Sequence, residues 1–308
     1  MKTYKIVDLS SLFPGPFSSH LLSRFSFEIT KIEDQRNADV MRQMWPTTGG
    51  ISVAYQALNK GKQIVEIDYK NDSDITKLKQ NIKESDVLIE NFRPGRMDKL
   101  GLSYQECVKI HPKLIYCSIS GFGQNHPLSK KPAHDLNILG LSGYLSLGSK
   151  PSVPPLQIAD IITAYEAALA IVTSLLDGGP ARLDISMLAA ITQAAILTNS
   201  IEQHIKRNLT VEEFILWGTC PCYAIYQTKD KKYMALAAVE APFWSDFCSR
   251  VGLQKAINHQ FDPDNHLLSQ IQEIIASKKQ EEWVKEDLDC FTPIYSYLES
   301  KKHGLITH

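Results

Sequence analysis

Short β-branched runs alternate with helix-period segments over the first two thirds of the chain. "YKIVDLS" is one such run; it ends in the turn "LFPGPF" and leads into the helical "FSSHLLSRFS". "FEITKIED" reads as a second strand with an acidic end, followed by a polar loop that carries Arg36. "KQIVEIDY", "DVLIENF" and "KLIYCSISGFG" supply the third, fourth and fifth strands, with the helices "DSDITKLKQNIKES" and "SYQECVKIHP" between them. A long helix, "IADIITAYEAALAIVTSLLDG", stops at Gly178, Gly179 and Pro180. "ARLDISML" is then a sixth strand and "AAITQAAILTNSIEQHI" a further helix. Such alternation predicts a mostly parallel sheet with helices on its faces and ligand crevices at the carboxyl ends of its strands.

The texture changes near residue 210. "PCYAIYQTKDKKYMALAAV" predicts two strands joined by a charged turn, and "PFWSDFCSRVG" and "LLSQIQEIIASK" predict short helices. The expected organisation is α/β: a large Rossmann-like domain over 1–200, a smaller α+β domain over 201–285, and a linker or tail over 286–308.

Composition narrows the possibilities. The 308 residues are 44% hydrophobic and 22% charged, which is globular, and the net charge of −1 argues against nucleic acid or an anionic membrane as partner. The start, "MKTYKIVDLSSLFPGPF", lacks the pattern of a secretory signal, and no apolar run approaches the roughly 20 residues that span a bilayer. A cytoplasmic location is therefore expected. The six cysteines form no CxxC pair, and Cys220 and Cys222 flank a proline too closely for an ordinary disulfide. No metal-ligand spacing is present, so no metal is expected.

The first strand–turn–helix has one glycine where a dinucleotide fingerprint needs three, and no phosphate-binding P-loop occurs. Candidate chemistry comes from elsewhere. Arg93-Pro94-Gly95-Arg96 leaves the fourth strand as a rigid turn that could clasp a phosphate, or equally be a solvated surface turn. Lys60 and Lys62 in "LNKGKQ" carry the same ambiguity. His134 and Asp135, in "KKPAHDLNILG", are either a proton-handling pair or a polar helix cap. Asp160 opens the long helix and Glu240 precedes "APFW", so each has a helix-start reading too.

The order of "VDLSSLFPGPF", "LNKGKQIVEIDYK", "DVLIENFRPGRMDKLGL", "LIYCSISGFGQNHP", "HDLNILGLSG", "PPLQIADI" and "LDISML" resembles the family III CoA-transferase superfamily, of the CaiB/BaiF type. Within it the chain is most similar to the α-methylacyl-CoA racemases, from the first strand to about residue 250. The resemblance implies a CoA thioester lying over the carboxyl ends of the large domain's strands. Arg93 then contacts a CoA phosphate, with Arg36, Lys60 and Lys62 as further candidates. His134 and Asp160 match the opposed catalytic histidine and aspartate, and Glu240 matches a small-domain glutamate whose loop closes over the thioester. Asp135 is expected to fix the orientation of His134, and Asn137 to be structural. CoA belongs to the substrate, so no separate cofactor is implied. An interlocked homodimer is.

These residue types suit inversion at the carbon α to a thioester. One group removes a weakly acidic hydrogen and a second delivers a proton to the opposite face. Reference pKa values of about 6.5 for His and about 3.9 for Asp mean that the site must bring the two together. Burial of Asp160 would raise its pKa, and the helix dipole would lower it. Two features depart from the racemase pattern. "ADIITAYEAALA" has bulky isoleucines where racemases carry glycines, as in transferase members that use this aspartate as a nucleophile toward CoA esters. The tail "DCFTPIYSYLESKKHGLITH" also resembles only the start of the family's return linker. The readings carried forward are a racemase of 2-methyl-branched acyl-CoA, a family III CoA-transferase, and a non-catalytic acyl-CoA-binding homologue. His134 favours the first.

Overall fold

The structure, a computed structural model, describes residues 2–147, 150–261 and 265–306. The chain forms two compact units, one running to Ser146 and including Pro151–Ser200, the other chiefly Ile201 onward. The first unit begins with β1 (Tyr4–Asp8), α1 (Pro14–Ser23), β2 (Phe27–Asp34), a short hairpin of β3 (Thr47–Thr48) and β4 (Ile51–Ser52), α2 (Val53–Leu58) and β5 (Gln63–Ile67). Next come α3 (Asp72–Lys83), β6 (Val87–Glu90), α4 (Arg96–Lys99), α5 (Tyr104–Ile110) and β7 (Ile115–Ser120). The remaining elements are α6 (Asp135–Leu141), α7 (Ile158–Leu176), β8 (Ala181–Ser186), α8 (Met187–Ala194) and α9 (Ile196–Ile205), with the unit boundary falling inside α9.

Six of these strands make one parallel sheet in the order β5-β2-β1-β6-β7-β8. This is the expected Rossmann-like arrangement. Both faces are covered, which is why the strands read as nearly continuous apolar runs. On one face Ile6, Ile29, Val87, Ile89 and Cys117 pack with Ala164, Ala167 and Ile171 of α7. On the other, Val7, Ile32, Leu88 and Tyr116 pack with Leu78 and Ile82 of α3. The strand order reverses between β1 and β6, so the loops leaving their carboxyl ends diverge and open a crevice.

Two expectations for the helices need revision. α7, with 19 residues, is long and apolar enough by length and composition to cross a membrane, although only 33% of its apolar window is buried. Its alanine face lies on the sheet, while Tyr165, Leu169 and Leu176 are exposed on the unit. The single helix expected over "AAITQAAILTNSIEQHI" is two, separated at Ala195, where no glycine or proline marks the break. In the second unit, β9 (Tyr223–Gln227) and β10 (Tyr233–Ala237) form the expected hairpin, followed by α10 (Ala241–Arg250). Residues 286–308, read from the sequence as linker and tail, supply β11 (Phe291–Pro293), which pairs antiparallel with β10. Met234, Leu236, Trp244, Phe247, Trp283 and Phe291 share that unit's core.

A buried charge cluster underlies the β1–α1 loop. Asp8 is fully buried; it accepts the Ser10 N–H at 2.9 Å, the Ser19 hydroxyl at 2.5 Å and the Ser10 hydroxyl, and lies 3.5 Å from the Lys62 ammonium. Lys62 also donates to the Pro16 carbonyl at 2.8 Å and to Asn59 Oδ1 at 3.0 Å. Lys31, also fully buried, donates to the Ser10 carbonyl at 2.6 Å and lies 3.8 Å from both Glu33 and Asp39. Asp39 in turn accepts the Leu12 N–H at 3.0 Å, holding Leu12 in the left-handed region at φ 63°. Arg42 Nε completes the set, 2.6 Å from Glu33, so three carboxylates face three cations. Burial alone would raise the Asp8 pKa, but Lys62, Lys31 and the two serine hydroxyls hold it below the usual carboxylate value. Gly15 fits here for a steric reason, because a Cβ on it would collide with Ser10. Removing one member of a buried pair strands the other charge. Lys62→Ala should lower the unfolding free energy by about 3–5 kcal/mol in urea titrations. A loss under about 0.5 kcal/mol, ordinary for a surface site, would contradict this reading.

Candidate active site

The two walls of the crevice are tied directly to each other. Asn91, just past β6, accepts the Ser11 N–H at 2.9 Å and donates back to the Ser11 carbonyl at 2.7 Å. The β6 exit is shaped by Glu90, whose carboxylate accepts the Phe92 N–H at 2.8 Å. Burial pushes the Glu90 carboxyl up to about 7. Gly95 sits at φ 84°, a conformation that a Cβ disfavours, and this lets Arg93-Pro94-Gly95-Arg96 turn into α4 with the Arg96 N–H on the Arg93 carbonyl. Arg93 is thereby presented at the crevice, exposed at its rim.

The starts of α6 and α7 supply the third wall. Ser11, Asn91, Arg93, Lys131, His134 and Asp160 line one cavity of about 260 Å³. Asp160, in the first turn of α7, is 9% exposed, and among the described residues its carboxylate accepts no hydrogen bond. Burial, and secondarily the Asp135 charge, push its pKa up to about 7. The side-chain oxygen of Asn137 accepts the His134 N–H at 3.0 Å, fixing the backbone at the start of α6. His134 is otherwise solvent-exposed at the cavity wall. An acidic group that holds its proton near neutrality therefore shares one cavity with an imidazole.

A second cavity, of about 350 Å³, shares Ser11, Phe92 and Arg93 with the first, and Lys31, Tyr69 and Arg96 also line it. The two adjoin at the Phe92–Arg93 corner, and Glu33, Asp34 and Asp39 also line the second. Among the described residues neither Arg93 nor Arg96 has an ion pair, so both guanidinium groups are available to an anion.

His134, Asp160 and Arg93 thus come together as the sequence suggested. Asp135 stands just behind them, but in another role: its Oδ1 accepts the backbone N–H of Asp160 at 3.1 Å, and it makes no hydrogen bond to the His134 ring. Lys62 is corrected outright as a CoA contact, because its ammonium is buried and already bonded to Asp8, Pro16 and Asn59. Lys60 is exposed, and it lines neither cavity. Arg36 lies beside the second cavity without lining it, its guanidinium 2.5 Å from Asp68. Glu240 belongs to the second unit, where it is exposed and its carbonyl accepts the Phe243 and Trp244 N–H groups at the start of α10. Ser11, Asn91 and Lys131 were missed. For Ser11 and Asn91 the available signal was position, each one to three residues past a buried strand beside the point where the sheet order reverses.

The sheet order and the cavities at its switch point, where Asp160, His134, Arg93 and Arg96 converge, define a doubly wound α/β protein with its candidate site at the carboxyl ends of the strands. More particularly, the chain belongs to CoA-transferase family III, whose family model matches residues 1–290. It is 29% identical to the human alpha-methylacyl-CoA racemase over 97% of this chain and 78% of that protein. It is also 37% identical to the acetyl-CoA:oxalate CoA-transferase of Acetobacter aceti, over 50% of this chain and 39% of that one. Among solved structures, a CaiB/BaiF family protein from Brucella suis superposes with a TM-score of 0.84 at 21% identity, covering 97% of this chain and 85% of that one. The superfamily assignment holds, and its relatives include both racemases and transferases.

The raised Asp160 pKa has a measurable consequence for stability. The native carboxyl keeps its proton up to about 7, whereas the unfolded one releases it near 3.8. Between those values the native state binds more protons, so this group's contribution to stability falls as pH rises through the window. The loss is complete above about 7 and amounts to at most about 4 kcal/mol. Asp160→Asn, which cannot ionise, should therefore melt several degrees above the wild type at pH 8, with a much smaller difference at pH 5. Equal differences at the two pH values in thermal unfolding would contradict the shifted ionisation.

Proposed function

We propose that the protein is a racemase or epimerase acting at the α-carbon of a 2-methyl-branched acyl-CoA thioester. One observation carries the reading: an imidazole and a carboxyl that exchanges its proton near neutrality line the same small cavity. In this reading the CoA phosphates lie against the Arg93 and Arg96 guanidinium groups, which among the described residues have no ion pair, and the thioester lies in the cavity lined by Asp160 and His134.

In one direction neutral His134 takes the α-hydrogen as a proton, and the electron pair moves onto the thioester oxygen as an enolate. The Asp160 carboxylic acid then delivers its proton to the opposite face, leaving a carboxylate and an imidazolium. The other epimer runs the same steps in reverse, with Asp160 as base and His134 as acid. A carboxyl with its pKa near 7 serves both directions at neutral pH, since neither of its protonation states is rare there.

A second reading is supported by the relative in Acetobacter aceti and by the bulky Ile161 and Ile162 after Asp160. There Asp160 would attack the thioester carbonyl and carry CoA as an aspartyl thioester to an acceptor acid. Burial without hydrogen bonds disfavours that role, because it lowers the fraction of Asp160 ionised and ready to attack.

The test is NMR of the purified protein with a single 2-methylacyl-CoA epimer in deuterated buffer, with no acceptor acid. Deuterium should appear at the α-carbon while the other epimer accumulates. His134→Ala should abolish both while still binding acyl-CoA by calorimetry. No exchange in the wild type, together with a hydroxylamine-sensitive thioester at Asp160, would replace this reading with the transferase.

A further inference from the structure

We propose that Asp135 is the positioning residue for Asp160, capping α7 from the neighbouring helix by accepting the Asp160 N–H. The inference rests on the proton-transfer reading only for its role in turnover; the contact itself belongs to the fold.

The first-turn N–H groups of a helix have no partner inside it and usually find one in the residue just before. α3 follows that rule, with Asn71 accepting the Ser73 N–H at 2.9 Å, and so does α8, with Ser186 accepting the Ala189 N–H at 3.3 Å. α7 does not. Its preceding residue, Gln157, makes no side-chain cap, although α7 is the longest helix among the described residues. The missing acceptor comes from Asp135, 25 positions earlier, whose Oδ1 takes the N–H of Asp160 itself at 3.1 Å. This bond fixes the backbone of the residue whose side chain enters the cavity.

The same carboxylate has an electrostatic effect. A helix N-terminus favours an ionised acid in its first turn, which would pull Asp160 toward the carboxylate form. Asp135 occupies the first turn of α6 and also accepts a donor from α7. Its charge then opposes ionisation of Asp160 beside it. The other titratable groups around it are His134, Lys131 and Arg93 at the cavity and Cys117 of β7, which packs with α7; Arg182 and Asp184 of β8 alternate with Leu183 and Ile185 and lie on the opposite sheet face. Asp135 is the one whose charge bears on the Asp160 carboxyl. The site thus divides two neighbouring acids into an anchor and a proton carrier.

The two parts of this role are separated by Asp135→Asn, which keeps an oxygen acceptor and removes the charge, and Asp135→Ala, which removes both. In full-length protein carrying ¹³C-carboxyl aspartate, the Asp160 resonance is assigned by its absence from Asp160→Asn and titrated by NMR. Its midpoint should lie near 7 in the wild type. In both Asp135 variants it should fall by about one pH unit or more. Amide exchange over residues 158–163 should be about five-fold faster in Asp135→Ala and unchanged in Asp135→Asn. A wild-type midpoint in Asp135→Asn, or wild-type amide protection in Asp135→Ala, overturns the proposal. If the midpoint and the amide exchange change as stated while the wild type exchanges no α-hydrogen, the positioning role stands and the racemase reading fails.

Discussion

The crevice exists because charges are buried beneath it. The loop after β1 must leave the sheet at the point where strand order reverses, hold Leu12 in the left-handed region and present Ser11 to Asn91. Lys31 and Asp39 meet those demands from below: Lys31 takes the Ser10 carbonyl and Asp39 the Leu12 N–H. Asp8 and Lys62 brace the loop at its two ends, against Ser10 and Pro16. A cluster of three carboxylates and three cations is a poor source of net stability, because desolvation offsets much of the Coulomb attraction. Its contribution is a single geometry for the loop, fixed by directional bonds.

On that frame the site sets two acids against each other. Asp135 accepts the Asp160 N–H, while the Asp160 carboxyl is buried, accepts no hydrogen bond among the described residues, and has its pKa pushed up to about 7. The arrangement costs stability above neutral pH. It leaves the carboxyl able both to give and to take a proton under the conditions in which the chemistry would run. Glu90 follows a related pattern under the arginine turn, where burial raises its pKa while its carboxylate holds the Phe92 N–H.

Much of this was legible in the sequence, for reasons that differ by residue. The six parallel strands announced themselves as β-branched runs because both sheet faces are covered. His134 and Asp160 stand out only through family resemblance, since on residue chemistry alone a lone histidine before a helix is more often a cap or core residue and an aspartate opening a helix is a favoured cap. Lys62 was misjudged because a lysine in a glycine-containing turn looks solvated, and only the fold shows Asp8 waiting for it. The Asp135 contact was invisible for a similar reason: it joins positions 25 apart across two helices. The break at Ala195 left no trace, as alanine and threonine continue a helix pattern without interruption.

In the proposed reaction one α-carbon sits between Asp160 and His134 while the CoA phosphates lie at Arg93 and Arg96. A crystal structure with a non-reactive thioether analogue of a 2-methylacyl-CoA tests it most directly. The branched α-carbon should contact the Asp160 carboxyl on one face and the His134 imidazole on the other, with a phosphate at the arginine turn. An analogue bound with its carbonyl-equivalent carbon against Asp160 and its α-carbon away from His134 would contradict it.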